Sequence, residues 1–208
     1  APTEIYTLSL HDALPIWGLW RDFAAEWRHD AIHLPPVDVA SLPVNPPSCG
    51  WDALASNFER TVSLPATVEE FFWGDNGNIE GVGGDYRGVS WWVTTIDIGP
   101  ETAGKRLYLD FGSVHLRAEV FVNRRLAGYD VIGHTPFSVD ITGAAKPGPN
   151  EIAVRITDPA GNFNWNDRTV LKWGSHDIPA CHGFGGITGN VTLRAVDDVH
   201  IEIGRAHV

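Results

Sequence analysis

Asp158 stands where an alternating run, NEIAVRIT (residues 150–157), gives way to DPAGNFNWNDRTVLKWGSHDIPACHGFGG (residues 158–186). Within that stretch Phe163, Trp165, Trp173 and Phe184 are interspersed with Asn162, Asn164, Asn166, Asp167 and His176. Aromatic faces stack on the CH face of a sugar ring, while amides and carboxylates meet its hydroxyls. The mixture points to carbohydrate, with Trp165 and Asn166 as contact candidates. A second reading stays open, in which the aromatics pack the segment against another domain. Connections this long in compact β domains are usually functional or disordered. A strand end is a rigid platform, so a carboxylate at Asp158 is held to the precision a site needs. It accepts hydrogen bonds from sugar hydroxyls or helps to hold a cation beside them. Its alternative is a turn role, since Asp before Pro159 can cap its own backbone.

Other constellations carry less. HDAIH (residues 29–33) spaces two imidazoles as zinc ligands on a helix require, but Asp30 replaces the glutamate base and Pro35 ends the helix. GVGGDYRG (residues 81–88) lacks the following helix that would aim backbone amides at a phosphate and reads as a loop. Cys181-His182 and Ser175-His176-Asp177 hold nucleophile-type residues side by side, whereas such sites are assembled in space. NVT (residues 190–192) is a glycosylation sequon only in a eukaryotic secretory host. No catalytic residue, metal or cofactor is expected from these motifs.

The elements that must position Asp158 are strands. SWWVTTIDI (90–98) aligns Trp92, Thr94, Ile96 and Ile98, and KRLYLDF (105–111) aligns Leu107, Leu109 and Phe111. LRAEVFV (116–122) aligns Leu116, Ala118, Val120 and Val122. ERTVSLP (59–65), RLAGYDV (125–131), FSVDI (137–141), NVTLRAV (190–196) and VHIEI (199–203) are further strand candidates. Strict alternation predicts sheets with one buried face, and many short strands between turns predict a β-sandwich or barrel. WRDFAAEWRHDAIHL (residues 20–34) reads as a short amphipathic helix, and the proline-rich stretch after it (35–50) as an extended strap.

With 208 residues, nine tryptophans and nine phenylalanines, the chain can bury a sizeable core. A net charge of −11 argues against nucleic acid or an anionic membrane as partner. Cys49 and Cys181 could pair but form no disulfide framework. The ends read differently from the rest. TEIYTLSLHDALPI (residues 3–16) resembles a reading-frame translation of a short-read sequencing adapter, and IGRAHV (203–208) resembles the adapter of the other end. Residues 1–16 and 203–208 are therefore expected to be non-native, flanking an insert from a longer gene.

Taken in order, VSWWVTTIDI, the stretch from Arg106 to Thr142 and PGPNEIAVRITDP resemble the N-terminal sugar-binding domain of glycoside hydrolase family 2. The shared pieces are a YRG-led strand with paired aromatics, L-x-F-x-x-V, a V-x-V-N hairpin, T-P-F-x-x-D-I-T and G-x-N-x-[IVL]-A-V-R-[IV]. GFGGITGNVTLRAVDDVHI (183–201) resembles the family's closing strand, and SLPATVEEFFWGD (63–75) its opening segment. Two departures stand out: Asn123-Arg124 replaces the common Asn-Gly turn, which points to another turn type, and Gly185-Gly186-Ile187 lacks the usual Trp or Tyr. The resemblance implies an all-β, jelly-roll, galactose-binding-like sandwich. It also implies immunoglobulin-like and TIM-barrel domains downstream in the parent chain, with the catalytic glutamates on the barrel. Asp158 matches an aspartate that reaches the barrel site in some β-galactosidases, and Asn78 of the early loop is assigned a similar role.

The expected layout is an adapter-derived segment (1–16), a helix and strap (17–50), the sugar-binding sandwich (51–202) and an adapter-derived tail (203–208). Three functions are carried forward: accessory domain of a family 2 glycosidase, stand-alone carbohydrate-binding module, and structural interaction domain. Retaining hydrolysis needs two carboxyls about 5–5.5 Å apart flanking the bond, which the family keeps on the barrel. The purified chain is accordingly expected to hydrolyse no nitrophenyl glycoside, and robust turnover of any would contradict this assignment.

Overall fold

The computed structural model describes residues 6–9, 16–25, 38–72, 86, 88–158, 171–173, 176–178 and 184–198. The strands are β1 (Tyr6–Ser9), β2 (Trp17–Asp22), β3 (Arg60–Val62), β4 (Ala66–Thr67), β5 (Gly88–Ile98), β6 (Arg106–Phe111) and β7 (Arg117–Val122). They continue as β8 (Arg125–Asp130), β9 (Phe137–Asp140), β10 (Gly148–Asp158), β11 (Leu171–Trp173), β12 (His176–Ile178), β13 (Gly186–Ile187) and β14 (Val191–Val196). One short helix, α1 (Val68–Phe72), follows β4. Two antiparallel sheets carry the fold, ordered β3-β2-β5-β10-β7-β8 and β1-β14-β6-β9. This is a jelly-roll β-sandwich. Among the described residues, no helix is long and apolar enough to cross a membrane.

Alternation decides which side chains meet between the sheets. Trp92, Ile96, Ile98, Val120, Val122, Ile152, Val154 and Ile156 face Leu107, Leu109, Phe111, Val139, Leu193 and Ala195 in one core. Each fully buried large side chain of this kind contributes roughly 1.5–3 kcal/mol. The central strands of the six-stranded sheet are buried on their other face as well. Val89, Trp91, Val93, Phe121 and Ala153 form a second cluster with Leu54, against which Cys49, Trp51 and Phe58 pack. The strap and the 3-10 turn Trp51–Asn57 therefore lie on the outer face of the sheet. That is why β7 is buried at every position, where alternation alone predicts a wet face.

Residues 20–22 are strand, not the start of a helix. In β2, Trp17 and Leu19 enter the core between the sheets while Trp20 joins the outer cluster. Trp20 lies opposite Trp91 and Leu19 opposite Trp92 in β5. A two-residue period ran through WGLWRD, but the helix formers after it dominated the pattern. The rest of that expected helix, including HDAIH, lies outside the described residues, as do VHIEI and the adapter-like tail. At the β7–β8 hairpin, Asn123 (φ 50°) and Arg124 (φ 68°) are both left-handed, so the turn keeps the geometry that favours Asn-Gly. Asn123 explains it: Nδ2 donates to Ala144 O (3.0 Å) and Asn150 Oδ1 (2.8 Å), and Oδ1 accepts from Glu151 N (3.2 Å). These bonds hold Arg124 in a conformation that costs a non-glycine residue about 1–2 kcal/mol.

Asp22 pins the strap to the sheet. Its carboxylate accepts from Trp91 Nε1 (3.1 Å), Ser48 N (3.0 Å) and the Ser48 hydroxyl, and it is almost fully buried. Asp22→Ala leaves an indole N–H and a backbone amide without an acceptor, and a loss of about 3 kcal/mol is expected. Asp22→Asn, which keeps one acceptor, loses less. Urea denaturation of the three proteins checks the order; equal stabilities would show that the strap is held by its apolar contacts alone.

Candidate functional site

The site grows from the end of β10. Asp158 is the last residue of that strand and lies opposite Gly88, the first of β5. One step earlier, Thr157 lies opposite Arg117, the first of β7. Asp158 thus meets the connection that crosses from β6 in one sheet to β7 in the other, which carries His115. The carboxylate is only 2% exposed, and Oδ1 lies 4.0 Å from His115 Nε2. The His115 ring is 1% exposed and stacks on His134, with centroids 4.3 Å apart and planes 21° apart.

The stack is built by the turn after β8. Asp130 Oδ2 accepts from Ile132 N (3.1 Å) and Gly133 N (3.2 Å), folding the chain back over His115. Burial pushes the Asp130 carboxyl up, against the lowering effect of those amides. Gly133 lies so close that a Cβ there would come 2.7 Å from Leu116 Cδ1. On the other side, a Cβ on Gly185 would come 2.7 Å from Asp158 Oδ2, and one on Gly186 2.5 Å from Ala66 O. Gly186 exchanges two 2.9 Å backbone hydrogen bonds with His115. Glycines at 185 and 186 let β13 pass between Asp158 and β4. A Trp or Tyr there would fill that space.

Tyr86 closes a third side. It is buried, its hydroxyl donates to Val89 O (2.6 Å), and its amide donates to Glu69 Oε1 (2.9 Å). Burial first, then the charge of Asp22, holds its phenol well above the usual tyrosine range. Phe23, largely exposed, sets its ring edge-on to Tyr86 at 5.8 Å, and Phe184, half exposed, precedes Gly185. Exposed aromatic rings thus lie next to a buried polar cluster.

Burial, followed by the neighbouring His134, lowers the His115 pKa from 6.5 to about 4. The carboxylate at 4.0 Å acts in the opposite direction, but burial outweighs it. The pair is therefore a neutral imidazole beside a carboxylate, too far apart for a hydrogen bond. Neither His115 nitrogen has a hydrogen-bond partner among the described residues. One of them must carry a proton, so a buried donor stands ready for an acceptor.

The structure thus joins Asp158 to His115, His134 and Tyr86. Asn78, Trp165 and Asn166 lie outside the described residues, as does Cys181. Sequence reasoning missed His115 because nothing in GSVHL marks a site. The available signal was its place at the foot of β7, two residues before Arg117. Among the described residues, no group of three His, Cys, Asp or Glu is placed to hold a metal ion.

Comparison with known proteins narrows the class to which this β-sandwich belongs. No protein-family model matches the chain. A β-glucuronidase of Formosa agariphila is 30% identical over 148 residues, 69% of this chain and 15% of that protein. A β-galactosidase of Bacteroides ovatus is 32% identical over 183 residues, 86% of this chain and 18% of that protein. A β-glucuronidase of glycoside hydrolase family 2 has the same fold (TM-score 0.56, 21% identity, 95% of this chain and 18% of that one). So has a β-galactosidase-like protein of Bacteroides fragilis (TM-score 0.53, 21% identity, 93% of this chain and 23% of that one). The chain is a homologue of the family 2 glycoside hydrolases. It spans 15 to 19% of the length of the first curated relatives it matches.

The His115 pKa sets a pH dependence. Folded His115 refuses a proton that the unfolded chain accepts below its ordinary value of 6.5. Its contribution is complete above pH 6.5 and is lost as pH falls toward about 4, by up to about 3 kcal/mol. Stability measured by urea denaturation from pH 7 to 4 is expected to fall less steeply in His115→Gln. Parallel curves would mean that His115 is protonated alike in both states.

Proposed function

We propose that the chain is the N-terminal sugar-binding domain of a family 2 glycoside hydrolase, non-catalytic by itself. It supports hydrolysis of an O-glycosidic bond by a barrel elsewhere in the parent chain. The observation that carries the reading is the match to glycosidases over most of this chain but under a fifth of their own length. Those relatives are named for β-glucuronide and β-galactoside substrates, and the ligand proposed here is a β-linked sugar of that kind. Downstream immunoglobulin-like and TIM-barrel domains of the same parent are the proposed protein partners.

The Asp158 end of the sandwich is the part that meets the site. Asp158 accepts from sugar hydroxyls, and the unpaired His115 nitrogen donates to one. At 2% exposure the carboxylate is sequestered in this chain alone. Contact with a sugar requires the residues around it to stand away when the barrel is in place. Trp165, Asn166 and Asn78 are kept as further proposed sugar contacts on the strength of the sequence alone. The exposed rings of Phe23 and Phe184 and the exposed Ile132 favour an accessory domain with a covered face over a free-standing module.

The test is Asp158→Asn in the full-length enzyme. The substitution keeps turn hydrogen bonding and removes the charge. A fall in kcat/KM of tenfold or more, about 1.4 kcal/mol of transition-state stabilisation, is expected at unchanged Tm. Unchanged kcat/KM with an intact fold would reduce Asp158 to a turn residue.

A further inference from the structure

His115 is buried, yet neither of its ring nitrogens has a hydrogen-bond partner among the described residues. The ring torsion of a histidine is broad, so the plane of an imidazole is set by its hydrogen bonds or by what packs on its faces. For His115 that packing is His134, with ring centroids 4.3 Å and planes 21° apart. We propose that His134 is a positioning residue: its ring fixes the plane of His115 so that Nε2 points beside the Asp158 carboxylate, a role that rests on the reading in which Asp158 and His115 meet a sugar.

The two neighbours of the imidazole divide the task. Asp158 chooses the edge: its Oδ1 lies 4.0 Å from Nε2, so a proton on Nε2 is favoured by attraction to the carboxylate. Nδ1 faces the turn instead, where a Cβ on Gly133 would come 3.6 Å from it. His134 chooses the plane. Together they set one N–H donor beside one acceptor, too far apart to bond each other. A single sugar hydroxyl can accept from the first and donate to the second. After burial, His134 is also what keeps a second proton off His115, so the ring stays neutral.

The backbone is arranged to deliver this ring. Gly133 (φ 66°) and His134 (φ 56°) are both left-handed, and the Asp130 carboxylate holds the turn through Ile132 N and Gly133 N. His134 N donates to the carbonyl of Val114 (3.3 Å), the residue before His115, which ties the turn to the segment it covers. Asparagine suits a left-handed position as well as histidine does. What asparagine cannot supply is a flat face for His115.

That difference makes the test. Nitrogen NMR of the chain is expected to show His115 as one tautomer, with Nε2 protonated and Nδ1 bare. His134→Asn keeps the turn and removes the ring; it is expected to draw the two His115 signals together, as the tautomers mix, at unchanged Tm. In the full-length enzyme His134→Asn is expected to lower kcat/KM about fivefold or more, while His134→Phe, which restores a stacking face, stays within about twofold of the parent. In a His115→Gln background His134→Asn is expected to have no further effect. Unchanged His115 signals in His134→Asn would overturn the proposal, as would an equal fall in kcat/KM in the His115→Gln background, because His134 would then act through the turn alone. If His115→Gln by itself leaves kcat/KM unchanged, the sugar contact of His115 fails and the role of His134 with it. If His115→Gln lowers kcat/KM and His134→Asn does not, the role of His134 alone fails.

Discussion

The ladder between β5 and β10 runs from Gly148↔Ile98 to Asp158↔Gly88, and from Ile152↔Thr94 to Asp158↔Gly88 water is excluded from both of its faces. One face holds Trp92, Ile96, Val154 and Ile156 against the opposite sheet. The other holds Trp91, Val93 and Ala153 under the strap. A sheet buried twice can keep no unpaired polar side chain on either face without a large desolvation cost. The strap is therefore a third layer of the domain. Gly18 of β2 shows how close the fit is, since a Cβ there would come 2.3 Å from the Phe58 ring.

The charges that remain under the strap are neutralised in place. Arg155 of β10 and Glu119 of β7 form an ion pair with side chains only 1% and 2% exposed. Arg117 approaches the same carboxylate at 3.6 Å, and Asn45 of the strap donates to it at 3.2 Å. Arg155 also donates to Thr157 Oγ1 at 3.1 Å. Buried ion pairs add little net stability compared with apolar packing, but breaking one is costly. Their effect here is positional. Asn45 finds its carboxylate only when the strap lies in one register, as Ser48 finds Asp22. The same run of β10 that orders this network ends at Asp158, so the network and the candidate site share a rigid support.

At that end the chain is built for close approach. Gly133, Gly185 and Gly186 stand where side chains would collide with Leu116, Asp158 and Ala66. The result is a buried cluster of a carboxylate, a neutral imidazole and a phenol, with exposed Phe23 and Phe184 beside it. Low dielectric there makes an unpaired polar group costly. It also keeps His115 neutral and able to offer one donor and one acceptor.

Alternation in the sequence alone determined most of the strands, because side chains of a strand point to opposite faces in turn and their burial follows. It placed Asp158 at the end of β10, and the order of motifs determined the jelly-roll class. It could not determine the strand at WGLWRD, where a short two-residue period competed with the helix formers that follow. Nor could it show that β7 is wet on neither face, because the cover comes from a strap distant in sequence. The turn at Asn123-Arg124 was legible as a turn, but its left-handed geometry depends on Asn150 and Ala144. His115 became a neighbour of Asp158 only through the register that sets Thr157 opposite Arg117. Local pattern records which face of an element is buried. Which elements do the burying, and which side chains meet, is decided by pairing and packing between segments far apart in the chain.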